Sequence, residues 1–255
     1  MMRNLALPVA LAFFCAALQG GFAQQPPAVG VGRAGGSPRE LLKREGIELT
    51  EPALINALRN PSAHVRFLAA IKLAEDKALD AVPAIKDALT LENDPRAHVN
   101  MALALGLLGD QAGIAELKSI CADENFVPEF RLYAVHYMFD LHVPKDEDCL
   151  HAAEEIVEIV DSQNLHSGDR ILALGLLVRF QDLTPEESRN VLRLVAGRLQ
   201  DPDPSVRMTA SQSLGQWGNV AAVPYLKAAI AKEHDENVRS VFDKDLKKLQ
   251  VNPKP

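Results

Sequence analysis

What this sequence has little of narrows the field before any pattern is read. Of its 255 residues only three are cysteines, and one of these, Cys15, lies inside an apolar run near the N-terminus. Basic residues are outnumbered: 27 Lys and Arg against 34 Asp and Glu leave a net charge of −7. Removing residues 1–23 takes away only Arg3 and makes the balance −8, which argues against nucleic acid or an anionic membrane as a partner. The apolar run Leu5–Leu18 has fourteen residues, short of the ~20 that a spanning helix needs. The motifs of catalysis are missing as well. There is no Gly-x-Ser-x-Gly and no His-Glu-x-x-His, and Gly30, Gly32, Gly35 and Gly36 precede no strand-to-helix unit that could cradle a nucleotide. Neither an enzyme nor a cofactor is expected.

What is present begins with an export signal. Arg3, the run Leu5–Leu18 and the small residues around Gly21-Phe22-Ala23 read as a secretory peptide cut near Ala23. Residues 24–36, QQPPAVGVGRAGG, carry Pro and Gly without an apolar period and read as a flexible leader. A folded domain over 37–250 and a tail over 251–255 complete the division. The expected location is periplasmic or secreted, with no membrane insertion after cleavage.

The folded region repeats itself. In Leu199–Gly218 a helix ends, Pro202 and Pro204 stiffen a turn, and a second helix starts behind Asp203. Arg207 serves as a phase marker. Its equivalents are Arg66, Asn100, Arg131, Arg170 and Arg239, at intervals of 34, 31, 39, 37 and 32 residues. Six residues before each marker stand Asn60, Asp94, Asn125, Asn164, Asp201 and Glu233. Three after stand Ala69, Leu103, Ala134, Ala173, Ala210 and Phe242; seven after stand Leu73, Leu107, Met138, Leu177, Leu214 and Leu246. Small residues at plus three let helices approach, and large ones at plus seven fill the core between them. Two helices per unit, with a period in the thirties, make a stacked array in which each unit buries its apolar face on its neighbours. The expected fold is all-α: a right-handed α-solenoid of about six antiparallel helix pairs. A short helix behind the capping box Ser37–Glu40 closes its first end.

The segments HVNMALALGLLGD, SVRMTASQSLGQWG and NVRSVF, with their Asp-x5-Arg turn, resemble HEAT repeats over roughly residues 51–249. The variety they are most similar to is the phycobilisome-lyase-like one. The resemblance implies a structural ladder in which each Arg bonds the Asp or Asn six residues earlier, in its own or the adjacent turn. Its members would be Asn60, Arg66, Asp94, Asn125, Arg131, Asn164, Arg170, Asp201, Arg207 and Arg239, with Asn100 breaking the series. The resemblance also supplies an alternative function, a lyase-like or otherwise enzyme-associated protein; a structural arm of a larger assembly is a further alternative that does not rest on it. Lyases of that family act in the cytoplasm, which the export signal opposes.

Single residues attract bland explanations here. His64, His98, His166 and His234 lie in repeated turns, and stacked repeats hold equivalent residues about 8–10 Å apart, too far for shared metal ligation. Glu154, Glu155 and Glu158 share one face of an outer helix, where a solvated convex surface accounts for them. Cys121 and Cys149 fall at opposite ends of successive outer helices, so two buried thiols are expected rather than a bridge. On the inner helices, the positions two, five, six and nine or ten after the marker are charged at the array's ends. In its middle they are Leu105, His136, Tyr137, Leu172, Leu176 and Phe180, joined by Gln212 and Trp217. Either this strip lines a groove for an unknown protein or peptide partner, or the side chains pack between neighbouring inner helices; a phase error of one residue moves several inward. The functional expectation is a non-catalytic exported scaffold that mediates protein–protein interaction through its concave inner-helix face.

Overall fold

The computed structural model describes residues 36–158 and 167–251. The expected signal peptide, all of the leader but Gly36, Asn164 and residues 252–255 lie outside that range. A short helix, α1 (Pro38–Arg44), comes first. Packed pairs follow: α2 (Glu51–Ala57) with α3 (Ala63–Glu75), α4 (Val82–Thr90) with α5 (Pro95–Leu107), and α6 (Gln111–Ala122) with α7 (Pro128–Asp140). Then come α8 (Glu147–Glu158) with α9 (Ser167–Leu177), α10 (Pro185–Gly197) with α11 (Pro204–Trp217), and α12 (Val223–Lys232) with α13 (Glu236–Val251). The inner helices α3, α5, α7, α9, α11 and α13 also pack on one another in that order, and α1 lies on α3. Each unit therefore touches its neighbours along one line, as a stacked array requires.

Local chemistry sets the helix ends. Ser37 with Glu40 and Thr184 with Glu187 form capping boxes, and Asp94, Asp110 and Asp203 each accept a first-turn amide. Thr50 and Ser62 make no side-chain cap bond; the Ser62 amide is taken by the Asn60 side chain at 2.8 Å. Gly109 and Gly218 leave α5 and α11 at φ 82°, where an L side chain is unfavourable. Lys77 and His142 hold the matching left-handed position after α3 and α7, and Asp182 is left-handed in the loop before α10.

The core follows the repeat columns. Ala69, Ala134, Ala173 and Ala210 are fully buried at plus three, and Leu73, Met138, Leu177 and Leu214 are buried at plus seven. Leu246, in the last pair, is only partly buried. Unit two departs from the expected phase. Arg66, Arg131 and Arg207 each stand four residues after the N-cap, namely Ser62, Val127 and Asp203. Four after Asp94 is His98, not Asn100. Counted from His98, plus three is Met101 and plus seven is Leu105, both 0% exposed, whereas Leu107 is 50% exposed. The near-continuous apolar run MALALGLL puts a large side chain at plus seven in more than one phase, so periodicity alone selects the wrong one.

The two cysteines are bridged, contrary to expectation: Cys121 and Cys149 form a disulfide with Cα atoms 4.8 Å apart. Cys121 ends α6 and Cys149 begins α8, as expected, but α6 and α8 are not aligned end to end. Start to start they are 36 residues apart in sequence, yet Lys118 meets Asp146 at 2.9 Å and Cys121 meets Cys149, both at a separation of 28. That slide of eight residues, roughly 12 Å at 1.5 Å per residue, brings the start of α8 to the end of α6.

Candidate functional site

The ladder exists, but its rungs run forward into the next unit. The Arg66 guanidinium donates to both Glu92 carboxylate oxygens, at 2.7 and 2.6 Å, and to the Asn60 and Pro61 carbonyls. Arg207 repeats this with Glu233, at 2.8 and 3.2 Å, and with the Asp201 and Pro202 carbonyls. Arg170 lies 3.5 Å from the buried Asp201 carboxylate of the following unit. Asp201 thus lends its backbone carbonyl to Arg207 of its own unit and its side chain to Arg170 of the unit before. Glu92 and Glu233 each accept two further amides ahead of the next helix. Burial opposes the charge on both carboxyls, but the arginine and amide bonds outweigh it and hold them below the usual carboxylate range.

Asp94 is an N-cap, accepting from Ala97 at 2.9 Å, and Glu92 takes its expected place in the ladder. His98 stands in the arginine column, with Nε2 2.6 Å from Glu116 and Nδ1 3.4 Å from the Glu92 carbonyl. Asn100 is buried instead, accepting from the Tyr137 hydroxyl at 3.0 Å. Arg131 ignores Asn125, which is exposed, and donates to the Cys121 carbonyl and to Glu155. Arg239 is exposed and has no ion pair among the described residues. The acidic face of α8 is a set of cross-helix partners: Glu154 accepts from Asn190, Glu155 from Arg131 and Glu158 from Arg193.

Of the eight residues expected to line a groove, half are core. Leu105 and Tyr137 are 0% exposed, Leu176 2% and Phe180 6%. Leu105 fills the plus-seven column, and Tyr137 faces α5 through its bond to Asn100; Phe180 packs edge-on to Phe139, ring centroids 4.9 Å apart. A helix in the middle of an array buries positions toward both neighbours, so its accessible stripe is narrower than four columns. His136, Leu172 and Trp217 are partly exposed and Gln212 is exposed.

The accessible stripe on the central inner helices holds Tyr133 and His136 of α7, Leu172 and Gly175 of α9, and Gln212 of α11, with Arg179 just past α9. Tyr133, Gly175 and Arg179 were missed from sequence because the stripe was sought as an apolar one. Nothing lies within 4 Å of a side-chain carbon placed on Gly175, so the stripe is open to solvent there. Arg179 stacks 4.4 Å above the Phe139 ring and lies 3.4 Å from His136 Nδ1. Burial lowers the His136 pKa below its ordinary value; Asp140 opposes that effect and Arg179 reinforces it. Among the described residues no group of His, Cys, Asp and Glu is arranged to hold a metal ion, and no helix is long and apolar enough to cross a membrane.

No curated protein matches the chain. An engineered protein of solved structure shares 16% identity, with a TM-score of 0.43, over 80% of this chain and 97% of its own. The complex of CpcE and CpcF of phycocyanin lyase from Nostoc sp. PCC7120 shares 21% identity, with a TM-score of 0.37, over 81% of this chain and 90% of that one. The family model for HEAT repeats matches residues 51–136 and 169–242, more than half of the sequence. With helix pairs stacked in chain order and arginine–carboxylate rungs joining successive units, the chain belongs to the HEAT-repeat family.

Proposed function

We propose that this protein is a non-catalytic exported scaffold that holds a segment of another protein across the central inner helices. The carrying observation is the stripe from Tyr133 to Gln212. It offers an aromatic ring, an uncovered backbone position at Gly175 and an exposed guanidinium held by stacking, on helices fixed by packing from both sides. A surface so prepared binds without ordering its own backbone. Export is supported by the apolar N-terminal run and by the Cys121–Cys149 bridge, which belongs in an oxidising compartment.

The test is photo-crosslinking in the extracytoplasmic fraction with a reactive group at position 212, alone and together with Leu172→Asp or Arg179→Glu. Loss of the same crosslinked species in both variants, with helix content unchanged, is the expected result. Undiminished crosslinking in both would overturn the concave-stripe reading. Export is checked separately, by N-terminal sequencing of the mature protein, which should begin near Gln24.

A further inference from the structure

One cleft occurs twice in the array, and the two copies differ where it matters. Between α2 and α4 an opening of about 490 Å³ has the Arg66–Glu92 pair in its wall. Shifted by 141 residues, the same opening recurs at about 500 Å³ beside the Arg207–Glu233 pair. The residue three before the N-cap stands at its rim. In the other described units that residue is Arg59, Glu124, Gln200 or Lys232; in unit two it is Leu91, 77% exposed.

A lone exposed leucine needs no explanation. This one stands beside an apolar recess lined by Ile55, Leu58, Ala84 and Ala88, and the same cleft carries exposed Arg59 on one side and exposed Asp87 on the other. Neither charge is in an ion pair among the described residues. At the equivalent cleft all three features are gone: Leu91 becomes Lys232, Arg59 becomes Gln200, and Asp87 becomes Ala228.

We propose that the cleft between α2 and α4 is a self-association surface, occupied by the same cleft of a second copy of this chain about a two-fold axis. A two-fold contact requires that one patch carry both members of every pairing. This patch does: a projecting leucine with a recess beside it, and one free cation with one free anion. Each Leu91 enters the recess of the other copy, and each Arg59 meets the other copy's Asp87. The contact is separate from the central stripe and stands or falls without it.

Sedimentation velocity over a concentration series tests this on the purified protein. The wild type should show a reversible monomer–dimer equilibrium. Leu91→Lys, which installs the residue of the equivalent cleft, should weaken it at least tenfold. Arg59→Asp and Asp87→Arg should each weaken it, and the double swap should recover it. Lys232→Leu should leave it unchanged. All these positions are exposed, and circular dichroism confirms that each variant is folded. A wild type that stays monomeric, a dimer indifferent to Leu91→Lys, or a charge swap without recovery each overturns the proposal.

Discussion

Opening the Cys121–Cys149 bridge removes the one disulfide among the described residues. The bridge closes a loop of 28 residues between two outer helices. In the chain-entropy account, closing such a loop removes about 12 cal/mol/K from the unfolded state, or about 3.6 kcal/mol at 25 °C. Little is lost from the native state to offset this. Both sulfur-bearing residues are almost wholly buried, and Arg131 still joins the Cys121 carbonyl to Glu155 while Lys118 still meets Asp146. Reduction should therefore lower the unfolding free energy by about 3–4 kcal/mol while leaving helix content intact. Urea unfolding followed by circular dichroism, with and without reductant, measures it. A Cys121→Ala/Cys149→Ala variant serves as the control that should not respond to reductant. Two alkylatable thiols in the unreduced protein, or a loss below about 1 kcal/mol on reduction, would refute the reasoning.

Other expectations concern single side chains. Leu105→Ala should cost about 2–5 kcal/mol and Leu107→Ala no more than about 0.5, because only the first is core; equal losses in urea midpoints would restore the original phase of unit two. Glu92 and Glu233 titrate below their ordinary value of 4.5, so the stability they contribute is present above that pH and lost as pH falls through their folded values. Glu92→Gln should accordingly flatten the acid limb of stability measured from about pH 6 to about pH 3. Lys77→Gly should raise stability by up to about 1 kcal/mol, since a left-handed residue costs about 1–2 kcal/mol when it bears a side chain and glycine's entropy returns only part of that. A thermal melt shows whether the midpoint rises as expected.

Most of the array was written in local pattern. Helix existence, the turns between helices, both capping boxes and the plus-three alanines follow from spacings of three to seven residues, which a single helix enforces on itself. Even the arginine column was visible, because a cation near a helix N-terminus is unfavourable unless something answers it. Which turn answers it was not visible. Glu92 and Glu233 come from the next unit, 26 residues on, and no local rule sets that distance.

The tertiary structure decided wherever two helices had to be placed relative to each other. The slide of α8 along α6 turned two separate thiols into a bridge, since helix ends are fixed by sequence but axial offset is fixed by packing. The phase of α5 was settled by contact too: in MALALGLL every second side chain is a large apolar one, and only the neighbouring α3, α4, α6 and α7 select which leucine is buried. The same holds for the central stripe. Tyr137 and Leu176 are apolar at positions that one helix alone would expose, and they are core because a helix on each side covers them. A helix fixes the order of its side chains around its axis; which of them meet water depends on how many neighbours it has and where they lie.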